Sequence, residues 1–145
     1  MAAKTPNRRG NNLIEFSFLV PWYIFLFVGT FDYGFFAYSL ISTQSAARTG
    51  AYYCATNSST QSDSTTACGY ALDQLRSLPN VGSGVTTCGG SSPVTVTATA
   101  TASGPDGNPA TTVSVTYTSP QLIPIPGIFP GQITITRTLQ MRLRG

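Results

Sequence analysis

The hydrophobic pattern changes period between the first and the last third of the chain. From Leu13 to Ile41 most residues are apolar and only Glu15 and Asp32 are charged, a pattern that predicts a membrane helix. From Pro93 onward apolar and polar residues alternate with a period of two, which predicts half-buried strands. The chain therefore combines a long apolar helix with a sheet.

The predicted membrane segment covers about residues 13–36. Its most apolar part, Phe16–Phe31, spans about 24 Å at ~1.5 Å per residue, and extension to Leu13 and Phe36 covers a hydrocarbon core of ~30 Å. Basic residues precede the segment and none follows it until Arg48. By the positive-inside rule we expect the N-terminus in the cytoplasm and the rest of the chain outside it. A cleaved secretory signal is the alternative, but the apolar region is long, carries a carboxylate near its start and lacks a small-residue cleavage pattern.

In the expected extracytoplasmic part, the sequence pattern predicts one short helix and three strands. Asn57–Thr66 is polar and is expected to be a loop, and Ala67–Leu78 has leucines and alanines at helical spacing up to Pro79. The strand pattern then recurs three times, centred on Val94–Ala100, Val113–Tyr117 and Ile133–Leu143. Long helix, short helix and antiparallel sheet make an α+β arrangement.

Charged residues are scarce, and their scarcity excludes several functions. The chain has 145 residues, enough for one domain, with 9% charged residues and no histidine. Five carboxylates and no imidazole leave no expected catalytic residue, metal site or cofactor, so we do not expect an enzyme. Beyond Gly10 the positive and negative side chains balance, so no nucleic-acid partner is expected either.

Three cysteines, Cys54, Cys68 and Cys88, lie on the expected extracytoplasmic side, where disulfides are allowed. Their odd number leaves one over. We favour a bond between Cys68 and Cys88, which ties the short helix to the sheet and leaves Cys54 at the end of the long helix. The sequence alone leaves the three possible pairings open.

Two features of the last third stand out from the strand pattern. Arg137 has the parity of the core-facing residues of its strand, so either it lies at the sheet rim with its guanidinium in solvent, or it pairs with Asp73 or marks a bulge. The loop Pro120–Gly131 has four prolines and five large apolar side chains. We expect these side chains to contact a neighbouring subunit or the membrane surface; the alternative is that the loop covers the open sheet face as core. The side chains are Leu122, Ile123, Ile125, Ile128 and Phe129.

Two features of the long helix bear on how it packs. Pro21 removes one backbone hydrogen bond and is expected to act as a hinge in the membrane segment. Four small residues, Ala46, Ala47, Gly50 and Ala51, form a strip on which another backbone can approach closely. That backbone is either a neighbouring helix or the protein's own sheet.

The start of the helix resembles the processing site of type IV pilin-like precursors. A short basic leader ends at Gly10, and Glu15 follows five residues later at the head of the apolar helix. The resemblance implies that a prepilin peptidase cuts between Gly10 and Asn11, and that Glu15 pairs with the new amine of Asn11 in a neighbouring subunit and fixes axial register. Without the resemblance, Glu15 is a solvated carboxylate at a helix start.

The order and spacing of Glu15-Phe16, Pro21, the Gly29–Gly34 stretch and Gln44–Ala51 resemble TadE-like proteins, the minor pseudopilins of tight-adherence (Tad) pili. Asp32 stands where that family usually has a glutamate. The resemblance implies a pilin-like α+β fold with a leader (residues 1–10), a long helix (11–55) and an extracytoplasmic domain (56–145).

The function implied is that of a structural subunit in the bacterial inner membrane, later assembled into an extracellular filament. Its partners would be copies of itself or other pilins, the prepilin peptidase, the inner-membrane assembly machinery and the lipid bilayer. An uncleaved, membrane-anchored accessory protein of the same family and a membrane-tethered adhesin are the two alternatives.

The proline-rich loop generates a first test. Replacing Ile125 and Phe129 with serine should prevent assembly and leave the monomer folded, because an interface loop contributes little to the core. Filament counts by electron microscopy and circular dichroism of the monomer measure the two effects. An unfolded domain would show that the loop is core instead.

Overall fold

The computed structural model describes residues 9–122 and 131–144, with side chains from residue 13 onward in these ranges. The predicted α+β arrangement of a long apolar helix, a short helix and a three-stranded antiparallel sheet is confirmed. The elements are α1 Arg9–Cys54, α2 Ser64–Leu75, β1 Val94–Thr101, β2 Ala110–Thr118 and β3 Thr134–Arg142. The contacts divide the chain into two units that meet between Phe35 and Phe36.

The first unit is the apolar part of α1, and most of its described side chains are exposed. The second unit contains the rest of α1, α2 and the sheet, with a common hydrophobic core. In this domain α1 turns small side chains toward the core, and α2 contributes Ala67, Ala71, Leu72 and Leu75.

Helix α2 begins at Ser64, three residues before the predicted start, and ends at Leu75 instead of Leu78. The difference has a local cause at the start, since the carboxylate of Asp63 accepts the Thr66 amide at 3.0 Å and caps the first turn. The hydroxyl of Tyr53 in α1 donates to the same carboxylate at 2.9 Å. After Leu75 the chain continues as turns, and Leu78 remains buried within them.

The sheet has the order β1-β2-β3 with regular antiparallel pairing throughout. One face carries the core residues of all three strands, and the opposite face is a ladder of threonine and serine hydroxyls. Two cross-strand pairs on that ladder, Ser114 with Thr138 and Thr116 with Thr136, are hydrogen-bonded at 2.9 Å. The core-facing side chains with little exposure are Val94, Val96, Ala98, Val113, Val115, Tyr117 and Ile135.

One disulfide and one buried hydrogen bond stabilise the domain. Cys68 in α2 is bonded to Cys88 in the loop before β1, the pairing that we favoured, and Cys54 is free and buried. Tyr117 is fully buried and its hydroxyl donates to Asn80 Oδ1 at 2.6 Å. Burial raises the pKa of Tyr117 to about 12, so this hydroxyl remains a donor at neutral pH.

Arg137 pairs opposite Val115 in a register without a bulge, and its side chain is exposed. Asp73, the other suggested partner, instead accepts from Arg76 at 2.8 Å. The rim position is therefore the correct interpretation of Arg137.

The closest approach of α1 to the sheet generates a second test. A Cβ on Gly50 would lie 3.4 Å from Val113 Cγ1, which is an ordinary contact distance. We expect Gly50→Ala to leave stability unchanged or raise it by up to ~1 kcal/mol through helix propensity. Gly50→Leu should lower it by about 1–3 kcal/mol because the larger side chain has no room.

Denaturant unfolding of the full chain in detergent, followed by circular dichroism, measures the change. Gly69→Leu in α2 is the matched control, since nothing lies within 4 Å of a Cβ at Gly69. Equal stability of Gly50→Leu and Gly69→Leu would contradict the close packing of α1 on the sheet.

The cap of α2 generates a third test. Hydrogen bonds from Thr66 and then from Tyr53 lower the pKa of Asp63. A carboxylate with a lowered native pKa stabilises the fold above its unfolded-state pKa of about 4, and this contribution is lost as pH falls through the native value. Asp63→Asn retains a capping side chain without the charge. We therefore expect the melting temperature of the wild type to fall more steeply than that of Asp63→Asn below about pH 4; parallel curves would contradict this.

Candidate functional site: the membrane helix

The part of α1 that belongs to the first unit exposes a continuous apolar surface. Within the described part of the chain, one helix is long and apolar enough to cross a membrane, from Leu13 onward. Exposed apolar surface of this extent needs lipid or protein around it. The large exposed side chains are Leu13, Ile14, Phe16, Phe18, Leu19, Val20, Trp22, Tyr23, Ile24, Phe25, Leu26, Phe27, Phe31 and Tyr33.

Two carboxylates delimit this surface along the helix. Glu15 and Asp32 are 17 residues apart, so in a regular helix they are separated by about 26 Å, close to the ~30 Å thickness of a hydrocarbon core. Each end of the apolar segment therefore has one acidic side chain near the expected membrane boundary.

The two carboxylates lie in opposite environments. Glu15 is exposed, and its carboxylate is accessible to another molecule. Asp32 is only 1% exposed, and its Oδ2 has no hydrogen-bond partner among the residues that the structure describes. Burial of a polar atom without a partner is costly. The sequence marked Asp32 only as a charge in an apolar run and did not predict that it is buried.

Pro21 lies inside α1, and the helix continues through it. Since proline has no N–H, the carbonyl of Ser17 lacks its helical donor. The hydroxyl of Ser17 donates to the Leu13 carbonyl at 2.8 Å, one turn earlier. Whether Pro21 works as a hinge stays a prediction.

The strip of small residues lies inside the protein's own domain. Ala46 and Ala51 have no exposed surface, and Ala47 has 1%. Gly50 is buried, and its nearest neighbours are side-chain and backbone atoms of Val113 in β2 and Ala67 in α2. Of the two interpretations, the structure places this strip against the sheet and α2.

The remaining predicted residues are only partly described. Gly10 and Asn11 belong to α1, but their side chains lie outside the described set. Leu122 is half-buried, and its amide donates to the Gly131 carbonyl. Ile123, Ile125, Ile128 and Phe129 lie outside the described residues, so the interface expected there stays a prediction.

Comparison with protein families gives a match to this helix. Residues 13–51 match the family model described as TadE-like protein. The resemblance is to TadE-like proteins, as the sequence indicated. The matched segment is roughly a quarter of the chain and contains Glu15, Pro21, Asp32 and the strip of small residues. No match was found among curated proteins or among solved structures.

The TadE-like match and the apolar helix together fit a membrane protein related to Tad pili. The TadE-like family is a structural, pilus-related family that is not known for enzymatic activity. The match ends at residue 51, before α2 and the sheet begin. The matched segment thus covers the apolar part of α1 and most of its continuation into the domain.

Proposed function

We propose that the chain is a pilin-like structural subunit. Its N-terminal helix inserts into the bacterial inner membrane, a prepilin peptidase removes residues 1–10 after Gly10, and the mature subunit enters an extracellular Tad or type IV-like filament. The observation that carries the proposal is the exposed apolar surface of α1, headed by Glu15, in a segment that matches TadE-like proteins.

The exposed surface supports both a membrane-bound and an assembled state. Lipid chains cover the apolar side chains before assembly, and helices of other subunits cover them afterwards. The aromatic side chains bring large contact areas to such helix packing, for example Phe18 and Phe27, which are among the most exposed.

Glu15 supplies the polar contact of the assembled helices. A carboxylate enclosed by neighbouring helices requires an opposite charge, because an unpaired buried charge is strongly unfavourable. The α-amine that cleavage creates at Asn11 is the cation that a neighbouring subunit offers near this depth. This pairing sets the axial offset between subunits.

The domain carries features that suit an extracytoplasmic location. The bond between Cys68 and Cys88 requires an oxidising compartment to persist. The basic leader, with Lys4, Arg8 and Arg9, favours a cytoplasmic N-terminus. The peptidase and the inner-membrane assembly machinery therefore act on the leader and helix, while the domain lies outside.

Processing and assembly are tested separately, which is our fourth prediction. In a cell with an active prepilin peptidase, N-terminal sequencing and intact mass should show a chain that starts at Asn11. Gly10→Leu should leave the leader in place. Glu15→Ala should be inserted and cleaved normally but give few or no filaments, because the pairing with the Asn11 amine is lost.

Asp106→Ala is the control for the loss of a carboxylate, since Asp106 is exposed in the turn between β1 and β2. It should assemble as the wild type does. An uncleaved wild-type chain that remains in the membrane would instead identify an anchored accessory protein. Normal filaments from Glu15→Ala would overturn the proposed role of Glu15.

A further inference from the structure

The outer edge of β3 carries backbone groups that no strand of the described chain pairs with. The sheet ends at β3. Ser119 donates to the Ile133 carbonyl, and the Leu143 amide donates to the Pro109 carbonyl, so odd-numbered residues of β3 point their backbone groups toward β2. The even-numbered residues Thr134 to Arg142 therefore point theirs outward.

A cleft runs beside this edge, between β3 and α1. It has a volume of about 290 Å³ and is lined by Gln44 and Ala47 of α1 and by Arg137, Thr138 and Leu139 of β3. Arg137 is its only charged lining residue. Arg137 is exposed, and Leu139 is half-buried.

Two further arginines lie along the same side of the domain. Arg48 is exposed one helical turn beyond Gln44 on α1. Arg144 follows β3, and its guanidinium lies over the Tyr52 ring at 5.9 Å. Within the described residues, neither these two arginines nor Arg137 forms an ion pair with a carboxylate.

The carboxylates of the domain are already engaged elsewhere. Asp63 caps α2, Asp73 pairs with Arg76, and Asp106 lies 3.9 Å from Arg142. In a second copy of the domain, each of these carboxylates would have to leave its present partner to reach Arg137. The positive charge at this edge therefore favours binding of an acidic group from a different molecule.

We propose that the outer edge of β3 binds an extended acidic segment of another protein by strand addition. The outward backbone groups of β3 hydrogen-bond to the added strand, and a carboxylate on that strand reaches the Arg137 guanidinium across the cleft. The bidentate geometry of an arginine–carboxylate pair fixes the register of the added strand.

Arg137 also determines which strands are excluded. A charge on the core-facing parity of an edge strand is a known obstacle to edge-to-edge pairing between copies. A strand with a basic residue opposite Arg137 is repelled, whereas one with a glutamate or aspartate is attracted. The same side chain thus opposes self-association and favours an acidic partner.

An extended peptide fits this edge better than an anionic polysaccharide does. The row of alternating N–H and C=O groups on β3 matches a polypeptide backbone, whereas a polysaccharide would use only the arginines. The inference goes beyond the proposed function, because it concerns the folded domain and requires no filament.

The test uses the full chain in detergent micelles and an eight-residue N-acetylated peptide of alternating valine and glutamate. Binding is measured by fluorescence anisotropy, and the same peptide with glutamine in place of glutamate is the charge control. We expect the acidic peptide to bind and the glutamine peptide to bind about tenfold more weakly. Arg137→Gln should cause a similar loss, while Arg76→Gln, at the exposed residue that follows α2, should leave binding unchanged.

Thr138→Pro tests the backbone contribution. It removes an outward N–H and no backbone hydrogen bond to β2, so the strand pairing should stay intact and peptide binding should fall about tenfold. It also removes the side-chain hydrogen bond between Thr138 and Ser114, so Thr138→Val, which loses only that bond, is the control and should bind as the wild type does. Hydrogen exchange on the wild type provides a second measurement that needs no variant. The amides of Thr136, Thr138 and Gln140 should become protected when the peptide binds.

Three results would overturn the proposal. One is unchanged exchange at these amides in the presence of saturating peptide. Another is equal binding of an acidic oligosaccharide, oligogalacturonate, in competition with the peptide. If that binding is insensitive to Thr138→Pro, the edge is a surface that binds any polyanion. The third is a dimer of the chain cross-linked through β3, which would identify a second copy as the occupant.

Discussion

The domain depends on the close approach of α1 to the sheet. Ala46, Ala47, Gly50 and Ala51 present almost no side-chain volume, so the backbone of α1 lies directly over Val113 and beside Ala67. This contact lets one helix belong to two environments. Its second part is covered by its own domain, while its first part exposes large apolar side chains. Because the small residues pack within the domain, the contacts with other subunits that we propose would use the apolar segment and the exposed surface of the domain.

The few charges of the domain are arranged unevenly. All three of its carboxylates have partners, and each contributes to local structure: one caps α2, one pairs within a helical turn, and one lies in a β-turn near Arg142. Three arginines on the α1 and β3 side have no such partners among the described residues. The domain has five arginines and three aspartates, and its excess positive charge lies on this side, which the sequence total does not reveal.

Much of the fold follows from hydrophobic period, whereas the details follow from contacts distant in sequence. The period of two located all three strands and marked Arg137 as an exception, since the pleat fixes the side of each residue. The start of α2 was placed too late because Ser64, Thr65 and Thr66 carry no apolar signal, and the cap at Asp63 is completed by Tyr53 of α1. The strip of small residues was recognised, but composition does not say which backbone approaches it. The burial of Asp32 was missed for a similar reason, since it depends on what surrounds one side of the helix.

The two carboxylates of the apolar segment carry a free-energy cost that apolar residues at the same positions would avoid. An apolar residue at position 32 would avoid the desolvation cost of a buried oxygen without a partner, about 1–3 kcal/mol. Yet Asp32 is 1% exposed, and no described residue pairs with its Oδ2. Glu15 is likewise unfavourable beside lipid unless it lies at the interface or meets a cation. A helix selected only to anchor the chain would need neither carboxylate. Among the described residues no partner offsets the cost of the Asp32 Oδ2 atom, and the assembly that we propose would supply one for Glu15.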